Sequence, residues 1–407
     1  MSIQNIYRKN ISKNYLYTFF SCLDLTRGLW MIYLATKGVS LVQLGILESI
    51  FHITSFFMEI PTGMVADVFG RKTSVVMSRV ISFISLIIMF IGNSYYIFMI
   101  SFILSAISYN LESGAGEALI YDSLKEVGEE NTFIKVNSKI ELVRNLASIV
   151  AFIIGGILAI MDYSLVFYIS FIFIIMAFLS AIWMKEVEIN KNKEVKNPLR
   201  MFKEQLTNSI RAVRANDKIV FFMLFSEIVG CINTTMFFYL QNYWKGNGLN
   251  EFKIGIVFSI GCLFCSIFAS IIDKIEGRLK ERGILLYVPI ISLISIGGIA
   301  FTRYSYVFYI IMGLCEMIIW VVVGNYINML IPSESRATIL SFRSMIFSFF
   351  MVALFPVVGK LGDIIGLANT FRIIFYVMLI LVCINTTIVM KIMNKNTNRE
   401  LPVEQEG

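Results

Sequence analysis

Apolar residues along this chain gather in long runs, each about the length of a membrane crossing, separated by short polar stretches. The runs fall at 15–35, 41–63, 73–91, 96–118, 140–160, 165–184, 219–241, 254–272, 284–301, 306–330, 339–361 and 370–390. A helix needs ~20 mostly apolar residues to cross the hydrocarbon core of a bilayer, so each run predicts one span. The runs are too long, and alternate too little, for the strands of a membrane barrel. The expected fold class is therefore an all-α membrane protein with twelve transmembrane helices. Composition leaves no competing class: 57% of the 407 residues are hydrophobic and only 15% charged. Soluble domains run nearer ~45–50% and ~25%.

Charge changes the picture in one respect. A net charge of +7 could point to nucleic acid, but the basic residues follow membrane topology instead. With the N-terminus inside, about 25 of the 35 Lys and Arg fall on inner segments. Lys37, Lys245, Lys253, Arg303, Lys360 and Arg372 fall outside. By the positive-inside rule both termini are expected in the cytoplasm, and no nucleic-acid partner is expected. The longest polar segment, 185–218, holds nine basic residues and an amphipathic stretch at 199–213. It reads as a cytoplasmic linker helix lying near the membrane surface, between a first six-helix bundle (1–184) and a second one with a short tail (219–407). The six cysteines all lie within apolar runs, and no disulfide framework is expected.

The two halves also repeat. Asp24 and Glu227 are 203 residues apart, Glu112 and Glu316 are 204 apart, and Asp67 and Asp273 are 206 apart. The last pair is followed in both halves by Gly-Arg, as Gly70-Arg71 and Gly277-Arg278. Parallel repeats about an axis along the membrane normal are a transporter signature, so two pseudo-twofold-related six-helix bundles are expected.

The most specific local feature is the stretch from Gly63 through Asp67, Gly70, Arg71 and Lys72 to Thr73, between spans two and three. Gly63 and Gly70 permit a tight turn between helix ends, and Asp67 can pair with Arg71 or cap a helix N-terminus. The stretch resembles the loop signature G-x-L-A-D-x-x-G-R-K of the major facilitator superfamily, and lies where that family places it. The motif covers about a dozen residues, while topology, linker and repeat extend the resemblance to the whole chain. It implies a cytoplasmic latch between halves that breaks when the cavity opens inward, joined by an acid at the inner end of span four, here Asp122. Glu59-Ile60-Pro61 resembles a variant found in the Gram-positive drug–proton antiporters of this superfamily. Their span-five element G-P-x-x-G-G is only half matched: Gly155-Gly156 is present, and Ala151-Phe152 replaces Gly-Pro.

Ionisable residues inside spans cost ~2.5–3.5 kcal/mol each on insertion scales, and default to functional candidates. Asp24, Arg27, Glu48, Arg79, Glu112, Glu141, Arg144, Glu227, Glu316 and Arg343 are the clearest. The resemblance implies that spans one, four, seven and ten line a central cavity. That makes Asp24, Arg27, Glu112, Glu227 and Glu316 candidates for substrate and proton binding. Asp24 and Arg27 are also spaced to neutralise each other on one helix. Glu227 and Glu316 sit near the midpoints of their spans, where proton and cation can compete for a carboxylate. Trp320 and Tyr109 lie at helical spacing from these acids and can add an aromatic wall, although ordinary packing is the commoner role. His52, the sole histidine, follows Glu48 by one turn. That pair, with Glu59 and Arg144, makes up the remaining coupling candidates, a structural hydrogen bond being the plainer role for His52.

These readings converge on a secondary transporter, not an enzyme, exporting a lipophilic drug-like compound in exchange for protons by alternating access. Proton-coupled import of a sugar, peptide or other metabolite is the alternative. A membrane-embedded transferase and a non-transporting sensor are remoter rivals. No cofactor is expected, since no G-x-x-x-x-G-K-[ST] loop is present. The expected partners are a small-molecule substrate, protons and the lipid bilayer, with the protein acting as a monomer in a bacterial plasma membrane.

Overall fold

The computed structural model describes residues 3–187, 207, 217–331 and 336–400. Every regular element among them is helical. In chain order these are α1 (Ile3–Cys22), α2 (Trp30–Thr36), α3 (Leu41–Phe69), α4 (Arg71–Ile91), α5 (Tyr95–Glu126), α6 (Phe133–Met161) and α7 (Tyr163–Trp183). A second series follows: α8 (Asp217–Gly246), α9 (Glu251–Ala269), α10 (Ile272–Phe301), α11 (Ser305–Ile318), α12 (Gly324–Leu330), α13 (Arg336–Ile365) and α14 (Leu367–Glu400). Eleven helical stretches among the described residues are long and apolar enough to cross a membrane. The chain is a multi-pass membrane protein. The amphipathic stretch 199–213 lies outside the described residues except at Thr207.

The first span departs from expectation. Run 15–35 is not one helix but α1 and α2, parted by a turn at 23–29. Asp24 makes the turn by accepting from the Thr26 backbone N–H at 3.0 Å and hydroxyl at 2.6 Å, a local bond that competes with helix continuation. The break also leans on the glycine pair of α6. A Cβ at Gly155 would come within 2.6 Å of the Leu25 carbonyl oxygen. Span ten is interrupted as well, by a π-helical turn at Ile319–Val323 between α11 and α12. Such turns concentrate at functional sites.

Within the N-terminal half, α4 and α5 pack through small polar residues. Ser74 donates to the Leu111 carbonyl at 2.6 Å, Ser108 to the Ser78 carbonyl at 2.9 Å, and Ser85 to the Ser101 carbonyl at 2.8 Å. Small residues let membrane helices approach, and each such bond contributes about 0.6 kcal/mol. Between the halves, α3 packs on α13 and α6 on α9. Lipid tails are as apolar as leucine, so these contacts rest on close fit and hydrogen bonds rather than on burial of apolar surface.

Among the described residues, most inter-half hydrogen bonds lie between mid-span and one side of the bundle, that of the 37–40 and 247–250 loops, termed the far side below. There the Asp363 carboxylate caps α3, accepting from Leu41 N–H at 3.0 Å and Val42 N–H at 2.9 Å. The Tyr239 hydroxyl reaches the Leu41 carbonyl at 3.1 Å and the Phe355 carbonyl at 2.8 Å. Ser49 donates to the Val352 carbonyl at 2.9 Å, and Ser259 to the Ile149 carbonyl at 3.0 Å. Tyr163 bonds Glu251 at 2.8 Å. On the opposite side, that of the chain ends, the ion pairs Arg8–Glu129, Asp67–Arg71 and Lys218–Glu281 each stay within one half.

Candidate functional site

Among the described residues two cavities stand out, and the larger lies between the halves. The larger, about 530 Å³, is walled by the first-span break, α8, α9 and the α11–π-turn segment. Arg27 and Asn145 come from the N-terminal half; Ser226, Glu227, Thr234, Cys262, Tyr309, Glu316, Trp320 and Phe347 come from the C-terminal half. This volume falls within the range of small-molecule sites. A second cavity of about 330 Å³ lies on the N-terminal half, lined by Tyr17, Cys22, Tyr109, Glu112, Glu117, Glu141 and Arg144 among others.

The intramembrane charges divide into two groups. Glu112 and Glu227 are locked into ion pairs across helices. Glu112 meets Arg79 of α4 and accepts from the Tyr17 hydroxyl at 2.6 Å, and Arg79 also lies over the Tyr17 ring at 5.7 Å. Glu227 meets Arg343 of α13 and accepts from the Ser226 hydroxyl at 3.1 Å. Arg343 in turn lies over the Trp320 ring at 4.2 Å. Arg27 and Glu316 form the other group. Both line the larger chamber, and neither has an ion-pair partner within 4.0 Å among the described residues.

Other candidates sit elsewhere. Asp24 is exposed but is held by Thr26 at the helix break, outside both cavity walls. The expected Asp24–Arg27 neutralisation fails because the residues share a turn, not a helix face. Trp320 lines the chamber and is 60% exposed, whereas Tyr109, 58% exposed, lines the second cavity. Arg144 pairs with Glu141 at 3.3 Å, as its spacing allows. His52 lies 3.7 Å from Glu48 and 3.4 Å from the Ser348 hydroxyl. Both residues of that pair are buried where α3 meets α13. Glu59 stands on α3 two residues before Pro61 and is in neither cavity wall.

The loop motif forms a compact ionic cluster. Gly70 breaks the helix at φ 107°, a conformation that favours glycine. Asp67 pairs with Arg71 at 3.2 Å, and Arg71 reaches Asp122 at 4.0 Å, the acid that the resemblance implied. Lys72 and Thr73 donate their backbone N–H groups to Glu186 at 3.2 Å. Glu186 thus sits at the positive end of α4, while Gly63 lies within α3, not at the turn, with open space where a Cβ would stand. Sequence reasoning missed Glu186, whose only signal was an acid directly after span six. Arg79 and Arg343 were visible as intramembrane charges, but their partners were not. Asp67→Asn is expected to slow transport several-fold at normal expression, because it removes the nearer of the two anions that hold Arg71. Unchanged initial rates in proteoliposomes would dismiss a gating role.

Comparison with known proteins bears on the whole chain. Residues 16–310 match the family model described as Major Facilitator Superfamily. A Bacillus subtilis protein described as the uncharacterized MFS-type transporter YxaM is 24% identical over 411 residues, covering 96% of this chain and 99% of its own. Among solved structures, a mutant of the nucleoside transporter NupG aligns with TM-score 0.78 at 16% identity, covering 93% of this chain and 99% of the other. A POT family transporter in complex with 5-aminolevulinic acid aligns with TM-score 0.71 at 16% identity, over 94% and 96%. These structural likenesses establish the fold.

Proposed function

Within the major facilitator superfamily, to which the chain belongs, we propose that it is a proton-coupled secondary transporter of a small organic solute. The observation that carries this reading is the junction of the halves beyond a chamber that holds Arg27 and Glu316 without ion-pair partners among the described residues. Close packing at the far side, with the ion pairs Arg8–Glu129, Asp67–Arg71 and Lys218–Glu281 each within one half at the other, supports one limiting state of alternating access. With the termini in the cytoplasm, that state faces inward. Proton coupling draws support from the carboxylates placed inside spans, Glu316 at the chamber and Glu48 at the α3–α13 junction. Such groups cost too much to keep in a membrane without a role. The transporter acts as a monomer in this reading.

Export of a lipophilic drug in exchange for protons is the second reading. It is favoured by Glu59-Ile60-Pro61 and by the exposed Trp320 ring. Arg27 in the same chamber works against a lone cation as substrate.

The test is solute movement in vesicles of either orientation under an imposed proton gradient. The panel would contain nucleosides, amino acids, a tetracycline, a macrolide, a fluoroquinolone and a cationic dye. Gradient-driven movement of at least one class is expected. Glu316→Gln is expected to reduce it more than tenfold, the order of effect of deleting one charged contact, with the melting temperature unchanged. The vesicle orientation that supports uptake decides between import and export. Folded protein that moves nothing would sink the transport reading.

A further inference from the structure

The chamber contains one cation and one anion without an ion-pair partner among the described residues, and they come from opposite halves. Arg27 stands on the broken first span, exposed. Glu316 stands on α11, half-buried, three residues before the π-helical turn begins. The same protein neutralises its other deep charges with care: Arg79 takes Glu112, and Arg343 takes both Glu227 and the Trp320 ring. Leaving a half-buried carboxylate such as Glu316 unmatched inside a span is costly, and the exposed Arg27 faces the same chamber. They border one cavity yet lie more than 4.0 Å apart and form no ion pair. Space for a ligand separates them.

Resting on the transport reading above, we infer that the solute is a small zwitterion, its carboxylate bound by Arg27 and its ammonium by Glu316. Arg27 offers a planar fork of donors suited to a carboxylate. Glu316 offers two acceptor oxygens to an ammonium. Tyr309 lies seven residues before Glu316, two turns along the same face of α11, and with Trp320 and Phe347 gives the chamber aromatic walls that accept a flat or apolar middle. A ligand with both charges matches both residues at once. It also ties the N-terminal half to the C-terminal half, which is the contact needed for the chamber to close on the side of the chain ends. A simple cation leaves Arg27 unmatched, and a simple anion leaves Glu316 unmatched.

The experiment uses the purified full-length chain and two matched series of compounds. One is tryptophan, tryptophan methyl ester and N-acetyltryptophan; the other is 5-aminolevulinic acid, its methyl ester and its N-acetyl derivative. Binding is read from ligand-induced shifts of the melting temperature. In at least one series the zwitterion is expected to bind roughly tenfold to a hundredfold more tightly than either singly charged analogue, the effect of losing one hydrogen bond to a charged group. Glu316→Gln should erase the discrimination against the N-acetyl compound, and Arg27→Gln the discrimination against the ester. Because each variant relaxes a different preference, a general loss of folding cannot mimic the pattern. Equal binding of an ester or of an N-acetyl compound by the wild type overturns the inference. The N-acetyl result would mean that a proton on Glu316 suffices. Stabilisation by no member of either series overturns it too. Exchange across liposomes is measured separately: zwitterion binding without exchange leaves the ligand class standing and removes transport. Exchange without charge discrimination does the reverse.

Discussion

Arg343→Gln is expected to destabilise the folded protein by about 3–5 kcal/mol, because it strands a buried carboxylate. Glu227 is only 2% exposed, and without Arg343 its remaining partner is the Ser226 hydroxyl at 3.1 Å. The reverse deletion should be milder. In Glu227→Gln, the Arg343 guanidinium keeps the face of Trp320 at 4.2 Å, and a desolvated cation–π contact contributes about 2 kcal/mol. The double variant Glu227→Gln/Arg343→Gln should recover most of the stability lost in Arg343→Gln, since removing both charges leaves none to solvate. Thermal unfolding of the three variants in one detergent forms a double-mutant cycle. The expected order of melting temperature is double variant above Arg343→Gln, with Glu227→Gln between wild type and Arg343→Gln. If Arg343→Gln and the double variant melt together, the pair does not carry the stability assigned to it. Glu316→Gln provides the contrast, because its carboxylate has no partner to lose.

That contrast marks where sequence stops being informative. Glu227 and Glu316 look alike along the chain: each is an acid near the middle of a span with no cation one turn away. What separates them is Arg343, 116 residues from Glu227 and on another helix. Only the three-dimensional packing of α8 against α13 brings it there. Glu112 and Arg79 are likewise joined by the α4–α5 interface, which the serines at 74, 78 and 85 hold close. The spans themselves were legible because hydrophobic length is a one-dimensional property. The break at 23–29 was not, because Leu23, Leu25 and Leu29 keep the segment apolar while Asp24 turns the backbone. The π-turn after Glu316 was equally hidden, since Ile319–Val323 has no polar or glycine mark. The loop motif was the most readable local feature, and Arg71 does reach Asp122. Its anchor, Glu186, lay beyond the span boundary where the pattern ends. The Gly155-Gly156 pair had signalled only a partial likeness to one transporter type. In the structure it has a physical task, letting α6 approach both the broken first span and α9.

That close approach predicts the largest effect on transport. A Cβ at Gly156 would come within 2.7 Å of the Glu251 carbonyl oxygen, and one at Gly45 within 2.6 Å of the Phe355 carbonyl oxygen. Cβ atoms at Gly255 and Gly359 would meet the carbonyl oxygens of Phe152 and Leu41. In each case the obstacle is backbone of the other half, which cannot swing aside as a side chain can. Overpacking a fitted junction costs about 1–3 kcal/mol. The conformers of an alternating carrier differ by only a few kcal/mol. Gly156→Leu, whose side chain is far larger than one Cβ, is therefore expected to depopulate the far-side-sealed state by about a hundredfold, the equivalent of 2.8 kcal/mol. In the alternating-access reading every transport cycle passes through that state, so turnover should fall to background while each half stays folded. Gly114→Ala is the control, with nothing within 4 Å of its Cβ. Chemistry already in the chamber reports the state, because Cys262 and Cys265 both line it. In liposomes, a membrane-impermeant maleimide should label these cysteines from the side of the chain ends in the wild type. In Gly156→Leu it should label them from the far side. A variant that keeps wild-type sidedness and turnover would show that the junction opens without the glycine contact, and that the seal lies elsewhere.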